Sequence, residues 1–270
     1  MIKRRIARAV FPNAGTRARY QKQMLREIGS MAASVEYWLQ VQYRSEPPVL
    51  AEDASPAEEM RRRLNKLRDR WQEHFDTMAK TVAESFLRNQ FKGTDVAMRA
   101  ALKDAGWSVE FTMTSAVRDA FQAMLAENVS LIRSIPEHYF TQVEGIVMRS
   151  YAAGRDLYTM VKDLKALYPK AADRAVLIAR DQSNKCSAVV QRARQKELGI
   201  KQAIWLHSHA GREPRPTHVA MNGKRYDVDK GMWDSAVRKW IFPGELINCR
   251  CQSRSVLPWT PAKIQNSKRS

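Results

Sequence analysis

Histidine and cysteine, side chains that often bind transition metals, are concentrated in one segment in the last quarter of this 270-residue chain. His207 with His209 and Cys249 with Cys251 form two pairs at i and i+2, and His218 lies between the pairs. Side chains two residues apart on a strand share one face, so each pair can present both ligand atoms together. Two converging pairs would supply the Cys₂His₂ set of tetrahedral zinc, with His218 as a rival ligand. These five residues are therefore the candidate ligands of a structural metal site.

The close spacing of Cys249 and Cys251 leaves a second interpretation open. Paired cysteines of zinc fingers are usually separated by about two to four residues, and these two can instead be small buried members of an apolar core. A metal-dependent nuclease would need a base beside an open coordination position. His218 with Asn222 is a fragment of such a site, but acidic ligands are sparse around it. We therefore expect no catalytic residue and no cofactor other than a structural zinc.

Positive charge is concentrated at the two ends of the sequence. The formal net charge is +18; residues 1–26 contain eight Lys or Arg and no acid, and residues 201–270 contain 13 against five acids. The residues between them contain 25 against 23. Basic end segments are typical of nucleic-acid binding, because phosphate contacts release counterions, although a basic surface can also serve solubility alone. The candidate nucleic-acid-binding residues are Lys3, Arg4, Arg5, Arg8, Arg212, Arg215, Lys268 and Arg269.

Composition also narrows the class of protein. The hydrophobic fraction of 44% is sufficient for a core, and no apolar run approaches the roughly 20 residues of a membrane span. Three cysteines, two of them one residue apart, do not resemble a secreted disulfide framework. We expect a chain without a membrane anchor that folds in a reducing cytoplasm.

Arg212 and Arg215 have a second possible role besides binding DNA. Arginine side chains also form ion pairs with carboxylates within a fold, and the candidates here are Glu213, Glu245 and Asp227.

The elements that would position these residues follow from apolar periodicity. Apolar residues at spacings of three and four predict a helix from Thr16 to about Tyr43, with Trp38 on its buried face. A polar linker follows at 45–55, and a longer stripe from Met60 to Phe86 predicts a helix of about nine turns ending near Gly93. Shorter helices are predicted over about 95–105, 115–127, 134–154 and 157–167, and a long helix is predicted over 171–198. Strands are predicted over 202–208, 224–228 and 249–257. The expected fold class is mainly α, with long amphipathic helices in the N-terminal two thirds followed by a small α+β C-terminal unit.

At its C-terminal motifs the sequence resembles the phage Mu F-like head morphogenesis proteins, also called minor head or minor capsid proteins. The helix motif is RAVLIARDQ (174–182), and the middle part runs from Trp205 through Arg215 and His218 to Gly223. Pro243-Gly244 and the run NCRC (248–251) complete the pattern. The resemblance covers roughly 171–258, and the ordered set is more specific than any one piece. Asp181-Gln182 replaces a common Thr-Glu, and Gly211 lies near a position that is often acidic, so no polar role carries over there.

The resemblance implies a non-enzymatic minor head protein of a tailed phage. Such a protein would act in prohead assembly with the portal and major capsid proteins, contact packaged double-stranded DNA, and reside in the capsid interior after assembly in the host cytoplasm. The implied organisation is a helical assembly region with a basic N-terminal arm (1–170), the head morphogenesis domain (171–258) and a basic flexible tail (259–270). The alternative is a metal-dependent DNA-processing enzyme that uses the His/Cys cluster of residues 207–251.

Overall fold

Four long helices account for most of the computed structural model, which describes residues 5–45, 56–154, 156–209 and 213–258. A small strand-containing unit follows the last of them, which confirms the predicted fold class. Within the described residues, no helix combines the length and the apolar character needed to cross a membrane. The long helices are α1 (Ala14–Ser45), α2 (Pro56–Asp104), α3 (Ser115–Ala152) and α4 (Leu157–Glu197).

The strands form two small antiparallel sheets. The first has the order β2-β1-β5, with Ala203 opposite Tyr226 on one side and Ser255 on the other. The second is a hairpin of β3 and β4, in which Trp233 is opposite Trp240. The C-terminal elements are β1 (Gln202–Leu206), α5 (Pro216–Met221), β2 (Arg225–Asp227), β3 (Met232–Asp234), β4 (Lys239–Ile241) and β5 (Gln252–Val256).

Three helix boundaries predicted from glycine and proline are wrong. Gly93 lies inside α2, Pro136 inside α3 and Pro169 inside α4. The two helices predicted on either side of each residue are therefore one continuous helix. A proline in a helix interior costs about 3 kcal/mol. Burial of apolar residues on both sides of the break, such as Ile132 and Tyr139 around Pro136, outweighs that cost. The predicted strands are present but shorter, and the β3–β4 hairpin was not predicted.

One of two compact units comprises residues 18–84 and 125–179. Its core includes the apolar stripe of α1, whose members Met24, Ile28, Met31 and Val35 are fully buried. Trp38 is 50% exposed, against the prediction, and Leu39 occupies the buried position instead. The Tyr20 hydroxyl donates to Asn128 Oδ1 at 3.1 Å within this core.

The other unit comprises residues 1–17, 85–124 and 180–270, and it contains both sheets. The N-terminal segment extends the first sheet, because Ile6 pairs with Val256 and the Ala7 N–H donates to the Ser255 carbonyl at 3.0 Å. Ala7 and Val10 are buried with Trp205 in one apolar cluster. The described start of the chain is therefore a packed part of this unit.

Candidate metal centre

The small helix α5 places His218 against the first sheet. Proline at the start of α5 suits the first helical turn, and His218 is 2% exposed. Its ring meets the fully buried Trp205 edge-on, with centroids 5.2 Å apart. The Asn222 side chain, directly after α5, accepts the His207 N–H at 2.9 Å. The turn after α5 thus ties the histidine-bearing helix to the end of β1.

The two cysteines lie just before β5, in a turn packed on α4. Both are 3% exposed, and the Gly244 N–H donates to Cys249 Sγ at 3.3 Å. Gly244 has a φ of 81°, and a Cβ there would lie 2.9 Å from the Ala188 Cβ of α4. Only glycine fits this close approach without strain. The Pro-Gly motif therefore has a local role, since it brings a backbone donor to a cysteine sulfur.

His218, Cys249 and Cys251 converge. His218 Nδ1 lies 3.5 Å from Cys249 Sγ and 3.7 Å from Cys251 Sγ, and the three potential ligand atoms all lie within 4.8 Å of one another. A hydrogen bond from the Cys251 thiol holds the pKa of Cys249 below its usual range, and the same shared proton raises the pKa of Cys251. The pair thus stabilises a thiolate, the protonation state in which cysteine binds metals.

A buried carboxylate lies on the far side of the His218 ring. Asp234, at the end of β3, is fully buried, and its Oδ2 lies 3.3 Å from His218 Nε2. Its other oxygen accepts the Ala236 N–H at 2.9 Å. The sequence offered no signal for this residue, because the hairpin that carries it was not predicted.

His207 and His209 differ from His218 in their surroundings. They lie beyond the end of β1, with ring centroids 4.6 Å apart, and the His209 N–H donates to His207 Nδ1 at 3.2 Å. His209 is exposed, whereas His207 is 7% exposed. Burial lowers the pKa of His207, and the nearby His209 and His218 lower it further. The structure thus brings three of the five candidate ligands together and places His207 beside them.

A cavity of about 650 Å³ opens onto this cluster. Its wall contains all three clustered residues together with His207, and three arginines add positive charge. Arg215 donates to the Ile247 carbonyl at 2.9 Å. The charged and polar residues of the wall include Arg180, Glu213, Arg215, Asn248 and Arg250.

The helix motif of α4 touches the cysteine motif directly. Asp181 Oδ1 accepts the Asn248 N–H at 2.6 Å, and the Arg180 guanidinium donates to Asn248 Oδ1 at 3.1 Å. Asp181 is 6% exposed and also pairs with Lys185 at 3.1 Å. Asp181, one of the departures from the family pattern, therefore has a polar role in this chain.

The nucleic-acid-binding candidates are only partly covered by the structure. The Arg5 guanidinium donates to the Ala105 carbonyl at 3.2 Å, and Arg8 pairs with Asp104 at 2.8 Å. Arg215 lies in the cavity wall. The remaining candidates lie outside the described residues: Lys3, Arg4, Arg212, Lys268 and Arg269.

Two further acids of this segment, Asp227 and Asp229, are engaged elsewhere. Asp227 Oδ1 accepts the backbone N–H groups of Asp229 and Lys230 in a turn. Asp229 pairs with Lys196 at 3.0 Å and Lys201 at 3.4 Å. Neither acid lines the cavity. The grouped ligand atoms are therefore two sulfurs and one imidazole nitrogen, with Asp234 behind the imidazole ring.

Comparison with known proteins agrees with the motifs. Residues 141–254 match the family model of the Phage Mu protein F like proteins. A curated protein of Haemophilus influenzae, described as uncharacterized, is 33% identical over 154 residues, which cover 56% of this chain. The match covers 32% of that relative, so this chain spans about a third of its length. No solved structure matches.

The family match contains every motif on which the resemblance was based, and it begins earlier than the predicted residue 171. It includes α4, β1 and α5 as well as the two cysteines. Residues 141–254 of this chain are thus similar to the Phage Mu protein F like proteins.

Proposed function

We propose that this chain is a non-enzymatic minor head protein of a tailed phage that acts in prohead assembly, at the portal and the capsid interior. The family match over residues 141–254 carries the proposal. The contacts of Asp181 and Gly244 support it, because they join the family motifs into one packed structure rather than an array of substrate-binding groups. The portal and major capsid proteins are the partners.

Co-purification with proheads tests the assembly role. Proheads assembled from the phage's own head proteins, with this chain present, are separated from free protein by sedimentation. We expect the chain in the prohead fraction when portal is present and its loss when portal is omitted. Equal recovery with and without portal would contradict incorporation through the portal. Absence of the chain from proheads in both cases would contradict a role in the head.

We also propose that the basic ends contact packaged double-stranded DNA. The support is the distribution of charge, since nearly all of the excess of Lys and Arg lies in the two ends of the sequence. The alternative of a metal-dependent DNA-processing enzyme has less support, because Asp227 and Asp229 are turned to other contacts and the cavity offers no cluster of acidic metal ligands among its wall residues.

A further inference from the structure

We propose that Cys249, Cys251 and His218 bind one zinc ion, and that Asp234 orients His218 for this purpose. This proposal does not rest on the proposed assembly function, because a structural metal would stabilise the fold of this unit regardless of its binding partners. The proposal rests on ligand geometry, on the groups that face the ring nitrogens of two histidines, and on the chemistry of the ligand set.

The distances between ligand atoms fit a tetrahedral ion. Zinc binds sulfur at about 2.3 Å and histidine nitrogen at about 2.0–2.1 Å, which places a sulfur and a nitrogen of one tetrahedron about 3.6 Å apart. His218 Nδ1 lies 3.5 Å from one sulfur and 3.7 Å from the other. One nitrogen is thus nearly equidistant from two sulfurs at the edge length that a shared ion requires.

The second nitrogen of His218 has the partner that a metal-bound histidine needs. A metal-binding histidine usually donates its other ring N–H to a carboxylate or carbonyl, which fixes the tautomer and the ring orientation. His218 Nε2 faces the fully buried Asp234 carboxylate at 3.3 Å. A proton on Nε2 leaves the lone pair of Nδ1 directed at the two sulfurs.

The same reasoning excludes His207 as a ligand in this arrangement. Its Nδ1 accepts the His209 N–H at 3.2 Å, so the proton of the neutral ring is on Nε2. Neither nitrogen then has a lone pair to offer, because one accepts a hydrogen bond and the other carries hydrogen. His209 itself is exposed, and its ring meets the His207 ring edge-on. The five candidate ligands thus divide into three ligands and two neighbours.

The ligand set selects zinc rather than a hard cation. Thiolate and imidazole favour zinc, whereas magnesium and calcium require oxygen ligands. A backbone N–H from Gly244 supports the Cys249 sulfur at 3.3 Å. All three ligands line the cavity, which gives water access to the cluster.

Metal binding by the full-length chain tests the assignment. The reduced protein is stripped with a chelator, reloaded with zinc alone and analysed for bound metal, and affinity is measured by chelator competition. We expect about one zinc per chain. D234N should weaken binding by about 10–100-fold and retain one site at saturation, as loss of an outer-shell partner does. C249S, C251S and H218A should lower the zinc affinity more than D234N does.

Two matched variants give the controls. C186A removes the other buried cysteine, which lies on α4, and H207A removes the neighbouring histidine; both should bind zinc as the unmodified chain does. Cobalt substitution adds a spectroscopic readout, because thiolate-to-cobalt absorption should fall in C249S and persist in C186A. A folded chain, helical by circular dichroism, that binds no zinc would overturn the proposal. A loss of zinc affinity in H207A as large as the loss in H218A would also overturn it.

Discussion

Asn248 is the residue at which the separate family motifs meet. Its N–H is held by Asp181 at 2.6 Å and its side chain by Arg180 at 3.1 Å, both from α4. Its φ of 61° lies in the left-handed region, which asparagine tolerates better than most residues. This conformation turns the chain into Cys249. The order of motifs in the sequence indicated that these pieces belong together, but a pattern cannot show which atoms join them.

The anchoring role of Asp181 predicts a stability effect larger than that of an ordinary surface acid. D181A removes the buried carboxylate that accepts the Asn248 N–H, and it should lower the free energy of unfolding by about 1–3 kcal/mol, because hydrogen bonds to charged groups are among the stronger ones. D173A removes an exposed acid two turns earlier on the same helix and is expected to change stability by less than about 0.5 kcal/mol. Urea denaturation measures both; equal effects would show that the anchor contributes nothing.

At the scale of elements, α4 is held to the first sheet by buried polar side chains. Gln195 Nε2 donates to Ser253 Oγ and Ser255 Oγ, each at 2.9 Å, and Gln191 donates to the Val10 carbonyl at 3.1 Å. Both glutamines are nearly inaccessible to solvent. Periodicity located this helix because its apolar face repeats. It could not identify the glutamines as core residues, since their burial depends on hydrogen-bond partners distant in sequence.

The predicted helix breaks failed for a related reason. Local propensity scores Gly93, Pro136 and Pro169 by what they cost the helix alone. Packing against residues distant in sequence stabilises the continuous helix, and a short stretch of sequence contains no information about those contacts. The same limit explains the strand prediction: β1 was recognised by alternation, whereas the three-residue strands of the β3–β4 hairpin are too short to show any period.

Arg194 near the end of α4 allows the packing of this element to be tested. Its guanidinium is 2% exposed and contacts Asp95 at 2.8 Å, Glu197 at 2.8 Å and the Thr112 carbonyl at 2.7 Å. R194M leaves two acids and a carbonyl without their shared donor, and removing one partner of a buried pair costs about 3–5 kcal/mol. Partial exposure of both acids favours the lower end of that range.

Lys196, two residues further along α4, provides the matched control. Its ion pair with Asp229 is about half exposed on both sides, and exposed pairs contribute about 0–1 kcal/mol. K196M should therefore change the urea midpoint little, while R194M should lower it clearly. If the two variants lose equal stability, the buried network is not what secures this end of α4.

At the scale of the whole molecule, sequence and structure divide the chain differently. The sequence suggested a helical region followed by a compact C-terminal domain. Each compact unit instead draws on separated stretches, and one unit combines residues 1–17, 85–124 and 180–270. The family match crosses this division at residue 179. Motifs are local in sequence, whereas a compact unit is defined by contacts between distant residues, so the motifs could identify the family without revealing the units.

Charge, in contrast, is readable from sequence alone, and it supports the last prediction. Binding of the full-length chain to duplex DNA should weaken steeply with salt, because each phosphate contact contributes about −0.9 to the slope of log K against log salt. Neutralising four end cations should make that slope shallower by up to about 3–4. The end variant is K3Q/R4Q/K268Q/R269Q.

A control with the same net charge removes four exposed lysines from the middle of the chain, as K66Q/K80Q/K162Q/K170Q. Filter binding at several salt concentrations separates a specific role of the ends from a general effect of net charge: the control should keep the slope of the unmodified chain. Equal losses in both variants would assign the effect to total charge, and no binding at low salt would remove the DNA proposal while leaving the assembly role and the zinc site standing.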